Sequence, residues 1–312
     1  MIYTITMNPS IDYYLILEDR LIENEVNRTT KEYYKVGGKG LNVSQTLDIL
    51  SIQNTAITLV GGVTGVQILE KLKFFSKIKV EHILVENENR MNVKIFNGTK
   101  SYSVNAKGIE VTKELQDRIL DKLLVIKEGD WVMLCGSMIY NSNDQFIQKI
   151  STLVRERESK LVIDMESLNL DLLRKIKPFM IKPNLYEFKI LMEDDSITLE
   201  NIDDHIDKVL ETGLSSVLIS LGVDGAIYAS QDARYKLNQP AIKAINNVGT
   251  GDAMLATFIG CLSRGEDIAE SLKMAGAAGC LKAMTQDEIV FADFEKITQQ
   301  FIVEKYNNQK ED

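Results

Sequence analysis

The sequence predicts an α/β fold in which a mostly parallel central sheet lies between helical layers, with a small β-flap beside it. Three observations carry that expectation. Short β-branched runs recur between helix-like stretches, the alternation expected of βα units. Some of these runs are apolar throughout, as in Val217-Leu218-Ile219, which is how a strand buried on both faces reads. Two segments, residues 13–35 and 90–104, instead alternate apolar and polar residues with no helix of useful length between them.

In chain order, the strand candidates are Ile2 to Thr6, Ala56 to Val60, Trp131 to Leu134, Leu161 to Ile163, Phe179 to Ile181, Val217 to Ser220 and Ala226 to Ala229. In a parallel sheet, ligands bind at the carboxyl ends of such strands. The two alternating segments read as paired strands outside the main sheet, either a lid over a ligand cleft or a surface on which two subunits meet. Only four prolines and no Gly/Ser-rich linker interrupt the chain, so residues 1–312 read as one unit carrying lid segments near 13–35 and 90–104. The stretch 304–312 reads as a solvated, frayed end.

Composition narrows the chemistry. Hydrophobic residues make up 45% and charged residues 26%, as in ordinary globular chains. No apolar run approaches the roughly 20 residues of a membrane-spanning helix, and no basic region precedes the first apolar run, so no membrane role and a cytoplasmic location are expected. The net charge of -9 and the lack of a basic patch argue against a nucleic-acid partner. Cys135, Cys261 and Cys280 lack CxxC spacing and read as free buried thiols. With only His82 and His205, far apart in sequence, the chemistry is expected to rest on carboxylates.

Four motifs supply those carboxylates and their anion-binding surroundings. Asn247-Val248-Gly249-Thr250-Gly251-Asp252 is a glycine-rich turn entering a helix of small and apolar residues. Backbone N–H groups unobstructed by Cβ atoms, together with the helix dipole, suit a transferring phosphoryl group there. Asp252 then either takes the proton of an attacking hydroxyl or only caps the helix. Gly37-Gly38-Lys39-Gly40-Leu41-Asn42 is a second such turn, without P-loop spacing. Lys39 reads as a phosphate ligand and Asn42 as a sugar-hydroxyl ligand, against a plain strand-to-helix turn. Lys182-Pro183-Asn184-Leu185-Tyr186-Glu187 follows a buried strand. Asn184 and Glu187, three residues apart, read as a helix-capping pair, as holders of hydrated magnesium beside ATP phosphates, or as both. Ser220-Leu221-Gly222-Val223-Asp224-Gly225 reads locally as a hairpin turn.

Taken together with Asn8-Pro9-Ser10-Ile11-Asp12, these motifs resemble the PfkB (ribokinase-like) carbohydrate kinases over nearly the whole chain, in particular the 1-phosphofructokinase and tagatose-6-phosphate kinase branch. The resemblance implies a ribokinase-like three-layer sandwich with a lid. It also implies ATP and a phosphorylated ketohexose as partners, Mg2+ as cofactor, and a homodimer through the lid as one assembly. Asp252 matches the family's catalytic base, and Gly249, Thr250 and Gly251 its anion hole. Asp12, Gly38 and Asn42 match the sugar-hydroxyl contacts. Lys39, Arg28 and Arg90 match or neighbour the phosphate end, and Ser137 matches a phosphosugar contact. Asn184, Glu187, Ser220 and Gly222 match the ATP side, the first two also the magnesium motif. The implied reaction converts fructose 1-phosphate to fructose 1,6-bisphosphate, with tagatose 6-phosphate or fructose 6-phosphate as alternative acceptors and a sugar-phosphate-binding regulator as the non-kinase alternative. Departures from the family pattern are Asn89 for a usual threonine, Asn247, Thr250, and Met284-Thr285-Gln286-Asp287, which lacks a glycine common on the nucleotide side.

Overall fold

The computed structural model describes residues 1–97, 100–136, 144–166, 168–245, 248–285 and 293–307. Ten strands form the main sheet: β1 Ile2–Thr6, β4 Asn54–Val60, β5 Ile78–Leu84, β8 Trp131–Cys135, β9 Lys160–Asp164, β10 Met180–Ile181, β11 Ser216–Ser220, β12 Ala226–Ser230, β13 Arg234–Leu237 and β14 Val303–Tyr306. Their order is β14-β13-β12-β11-β10-β9-β8-β1-β4-β5. Pairing is parallel from β11 through to β5 and antiparallel from β11 out to β14. The expected mostly parallel sheet is therefore present, extended on one edge by an antiparallel meander.

Side-chain alternation along each strand feeds two cores, one on each face of the sheet. In β8, Val132 and Leu134 pack on one side, while Trp131, Met133 and Cys135 pack on the other. The first face is covered by α3 Lys113–Leu123, α4 Asp144–Glu156, α5 Leu170–Ile176, α6 Leu185–Met192 and α7 Ile202–Leu210, through Ile119, Phe146, Leu172, Phe188 and Ile206 among others. The second is covered by α1 Lys39–Ile49, α8 Thr250–Ser263, α9 Ile268–Met284 and α10 Phe294–Thr298. Helix α8 is buried along nearly its whole length, which explains its lack of an amphipathic stripe. It lies so close to the α1 end that a Cβ on Gly260 would stand 2.6 Å from Ile52 Cδ1.

The flap is a separate four-stranded sheet, β3 Thr29–Gly37, β2 Ser10–Leu17, β6 Arg90–Phe96 and β7 Ser101–Val104, in that spatial order. Strands β2 and β6 pair in parallel, so Asp12 stands opposite Asn92 and Tyr14 opposite Lys94. Tyr14 stacks between Tyr33 and Phe96, with ring centroids 4.8 and 6.1 Å away. Beneath the flap root, α2 Gly62–Leu72 packs Ile68 and Leu72 against Ile11, Val36 and Leu41.

Two expectations change. The start of the segment read as a frayed end belongs to edge strand β14, whose Tyr306 hydroxyl donates to Asp203 Oδ1 at 3.0 Å. A short, charged edge strand has too little apolar alternation to announce itself. Strands β5 and β13 were likewise absent from the strand candidates. Both carry polar residues that face solvent at or near a sheet edge. Cys135, Cys261 and Cys280 are free and buried as expected, and no described helix is long and apolar enough to cross a membrane.

Candidate active site

Five neighbouring parallel strands end side by side, and their carboxyl ends carry small or polar residues in a row: Ser220 on β11, Lys182 after β10, Asp164 on β9, Gly136 after β8, and Thr6 on β1 with Asn8 just beyond. All six line a cleft of about 490 Å³ that also takes in the flap, the start of α1 and the start of α8. A row of strand ends is where ligands gather in an open α/β sheet.

The glycine-rich turn leads into helix α8, as its sequence suggests. Gly249 is the N-cap residue at φ 79, a left-handed conformation that favours glycine. No side chain caps this helix, so the reading of Asp252 as a mere cap is not realised. Asp252 is instead 6% exposed and accepts a hydrogen bond from Asn42 Nδ2 at 2.7 Å. Burial, reinforced by the Asp164 carboxylate, pushes its pKa up from 3.8 to about 6, against the pull of Asn42, Lys39 and Lys182. A carboxylate poised there is ionised at neutral pH yet basic enough to accept a proton.

Beside it sits a knot of charge. Asp164, 1% exposed, is flanked by Lys39 Nζ at 3.1 Å and Lys182 Nζ at 3.4 Å, and Lys39 also lies 3.6 Å from Glu187 Oε1. Burial alone would raise the Asp164 pKa, but the two ammonium groups, Lys182 foremost, hold it below the ordinary value. Burial works against the Lys39 ammonium, and Asp164, Glu187 and Asp252 together outweigh it, so its pKa is raised. Lys182 reaches the turn before α8: a Cβ on Gly251 would stand 3.2 Å from its Nζ.

Asn184 and Glu187 form a full capping box on α6. Asn184 Oδ1 accepts from Glu187 N at 2.9 Å, and Glu187 Oε2 accepts from Asn184 N at 2.8 Å. The capping reading is thus realised, while both residues also line the cleft and Glu187 Oε1 faces it beside Lys39. No cluster of three or more His, Cys, Asp or Glu able to cage a metal occurs among the described residues. The hard oxygens of Glu187 and Asp164 suit a hydrated magnesium ion brought in by a nucleotide, which keeps most of its waters.

On the flap side, Asp12 Oδ1 accepts from Ser10 Oγ at 2.8 Å and Asn92 Nδ2 at 2.7 Å. The loop after β7 folds back over this face: Asn92 Oδ1 accepts from Ala106 N at 3.2 Å, and Asn8 Nδ2 donates to Lys107 O at 3.0 Å. Asn89 binds Gly61 N at 2.9 Å and Leu59 O at 3.0 Å, so it anchors the start of β6 and thereby Arg90.

The structure brings Asp12, Gly38, Lys39, Asn42, Arg90, Asn184, Glu187, Ser220, Gly249, Thr250, Gly251 and Asp252 together around one cleft. Arg28 is exposed in the loop before β3, and neither it nor Gly222 lines the cleft. Gly222 instead begins the one-turn 3₁₀ segment that joins antiparallel β11 and β12, the hairpin read from its local sequence. Ser137, Asn247, Gln286 and Asp287 lie outside the described residues. Sequence reasoning assigned no role to Asp164, Lys182, Asn92, Lys94 or Asn105. A charged residue closing an apolar β-run, as in Leu161-Val162-Ile163-Asp164, is the signal that would have found the first two.

The chain is similar to several known kinases. A D-tagatose-1-phosphate kinase of Bacillus licheniformis is 34% identical over 92% of this chain and 93% of its own. A 1-phosphofructokinase of Bacillus subtilis is 29% identical over 92% of this chain and 94% of its own. The crystal structure of phosphofructokinase-2 from Escherichia coli with fructose-6-phosphate superposes with a TM-score of 0.87 at 21% identity, covering 96% of this chain and 98% of that one. That likeness shows the fold, the ribokinase-like architecture expected from the sequence. The pattern of the pfkB family carbohydrate kinases matches residues 3–289, and the chain belongs to that family.

Proposed function

We propose that the chain, acting as one kinase unit under its flap, transfers the γ-phosphoryl group of Mg-ATP to the free primary hydroxyl of a ketohexose 1-phosphate, fructose 1-phosphate giving fructose 1,6-bisphosphate. The observation that carries this reading is Asp252, buried at the head of α8 beside Gly249, Thr250 and Gly251, with its pKa pushed up to about 6. Asp252 takes the proton of the acceptor hydroxyl as its oxygen bonds to the γ-phosphorus, the bond to the β-phosphate bridging oxygen breaks, and ADP leaves. The amides of the turn and the Lys182 ammonium stabilise charge on the moving group. Asn42 orients Asp252, and Asp12 with Asn92 holds sugar hydroxyls. On the nucleotide side, Lys39, Asn184, Glu187 and Ser220 face the ATP phosphates, and Glu187 with Asp164 holds the hydrated magnesium that ATP brings.

A second acceptor, tagatose 1-phosphate, is favoured by the relative at 34% identity, whose name specifies that sugar. The two sugars differ only in configuration at one ring carbon. The flap, with its stacked Tyr14, Tyr33 and Phe96, serves as lid and as the face of a homodimer. The test is ADP release with Mg-ATP against fructose 1-phosphate, tagatose 1-phosphate, tagatose 6-phosphate, fructose 6-phosphate and unphosphorylated fructose, scored by kcat/KM. A ketose 1-phosphate is expected to lead. Turnover led by a 6-phosphate would reassign the acceptor, and binding without turnover would make the protein a sugar-phosphate-binding regulator.

A further inference from the structure

The cations of the cleft fall into two kinds. Lys39 and Lys182 share Asp164, but Lys94 does not share any carboxylate. It lies on β6, an inner strand of the flap sheet, on the same face as Arg90 and Asn92, since residues two apart along a strand point the same way. Lys94 is only 6% exposed, and its hydrogen-bond partner is neutral: Nζ donates to Asn105 Oδ1 at 2.9 Å. Among the described residues no carboxylate comes within ion-pair distance of that ammonium. Arg90, at the root of the same face, spends Nη1 on a 3.4 Å contact with Ala106 O and leaves its buried Nε with no hydrogen-bond partner.

Burying an ammonium against a neutral amide is costly unless a negative charge completes the site. The charge expected here is not the nucleotide's, because the groups assigned to ATP lie at the start of α1 and at the ends of β10 and β11 in the main sheet, whereas Lys94 lies in the flap sheet. Lys94 stands one residue pair beyond the Asp12–Asn92 pair on the cleft face, about 7 Å further along the strand toward the flap tip. A hexose lying over Asp12, with one terminal hydroxyl at Asp252, directs its other end toward the flap.

We propose that Lys94, positioned by Asn105 and assisted by Arg90, binds the phosphate already carried by the acceptor sugar and so makes the enzyme a kinase of phosphosugars rather than of free sugars. This rests on the kinase reading above. It also assigns Lys39, which pairs with Asp164 and Glu187, to the phosphoryl-transfer end of the cleft instead of the acceptor phosphate.

The experiment reads binding apart from turnover. Fructose 1-phosphate without ATP, and ATP without sugar, are each titrated by calorimetry and by thermal shift into the wild type, Lys94→Met, Lys94→Arg and Asn105→Asp. Lys94→Met is expected to weaken fructose 1-phosphate binding about 10- to 100-fold, the worth of a charge-assisted contact, while leaving ATP binding unchanged. Lys94→Arg is expected to retain most of the affinity. Asn105→Asp gives Lys94 an internal carboxylate and is expected to weaken the phosphosugar without loss of melting temperature. Unchanged fructose 1-phosphate affinity in Lys94→Met overturns the proposal, as does parallel loss of both ligands, which would mark a structural role. If the wild type binds no fructose 1-phosphate, this proposal falls with the acceptor assignment. If it binds the sugar through Lys94 but turns nothing over, the kinase reading fails and the phosphate site stands.

Discussion

The two ends of the cleft solve the same electrostatic problem in opposite ways. At the core end, where strands of the main sheet terminate, Asp164 is buried between Lys39 and Lys182, and Asp252 is held by Asn42. Lys39 and Lys182 there face Asp164, Glu187 and Asp252, so most of the charge is compensated within the protein before any ligand arrives. At the flap end, Lys94 faces the cleft with a neutral partner, and Arg90 hydrogen-bonds the Ala106 carbonyl while the Asp12 and Glu166 carboxylates act on it from a distance. On the kinase reading the core end carries the chemistry, where reorganisation must be small. On the proposed reading, the flap end is completed by the phosphate of the acceptor, as in a lid that recognises its substrate.

The sharpest way to break this comparison is Asp252→Asn. If the core end carries the chemistry, kcat should fall on the order of 10³-fold with sugar binding retained, as for loss of a general base. A rate near wild type would remove Asp252 from the mechanism. The raised pKa adds a second readout with a definite sign. Because folding disfavours ionisation of Asp252, its contribution to stability is whole below the ordinary pKa of 3.8 and is lost as pH rises through about 6. Asp252→Asn should therefore melt higher than wild type at pH 8, by about 3 kcal/mol in stability, and show little gain at pH 4. The wild-type kcat/KM should lose activity on the acid side with an apparent pKa near 6.

Next in size is Lys182→Met. Lys182 is 5% exposed, and its removal leaves the buried Asp164 with one cation instead of two. An uncompensated buried charge costs about 3–5 kcal/mol, and retention of Lys39 places the expected loss near 3 kcal/mol in a denaturant melt. Lys94→Met removes a cation that compensates no carboxylate, so its melting temperature should hold. Equal destabilisation by the two variants would erase the distinction between the ends.

This distinction also separates what the sequence could and could not reveal. The core end was legible because glycine-rich turns leave local signatures: Gly249-Thr250-Gly251-Asp252 and Gly38-Lys39-Gly40 announce backbone amides aimed at an anion. Strands of the parallel sheet were legible for a similar reason, as each is a compact apolar run. Lys94 and Asn105 carry no such mark. In sequence, Asn92-Val93-Lys94-Ile95 is ordinary flap alternation. Only the pairing of β2 with β6 and the return of the loop after β7 make Lys94 a buried cation in a cleft. The Asp164 knot depends on the lateral order of β8, β9 and β10, which no local pattern encodes. Arg28 shows the converse: a charged residue near a matching motif that the fold holds on an exposed loop away from this cleft.

The smallest expected effect tests the boundary between structure and chemistry at the core end. Asn184 caps α6, and its backbone bridges Ser220 at the end of β11, so it ties the start of a helix to a strand end. Loss of the cap in Asn184→Ala should cost about 1 kcal/mol, read as a modest fall in melting temperature. Glu187 loses the bond to its own N–H but keeps the backbone N–H of residue 184 as donor to its Oε2, so the carboxylate should stay near Lys39. If Asn184 is only a cap, the rate dependence on magnesium and KM for ATP will not move. If it also holds a water of the hydrated ion, KM for Mg-ATP should rise several-fold while KM for the sugar holds. That second outcome would show that one asparagine serves both to start a helix and to receive the nucleotide, a frugal arrangement because the capping box already fixes the geometry the ion needs.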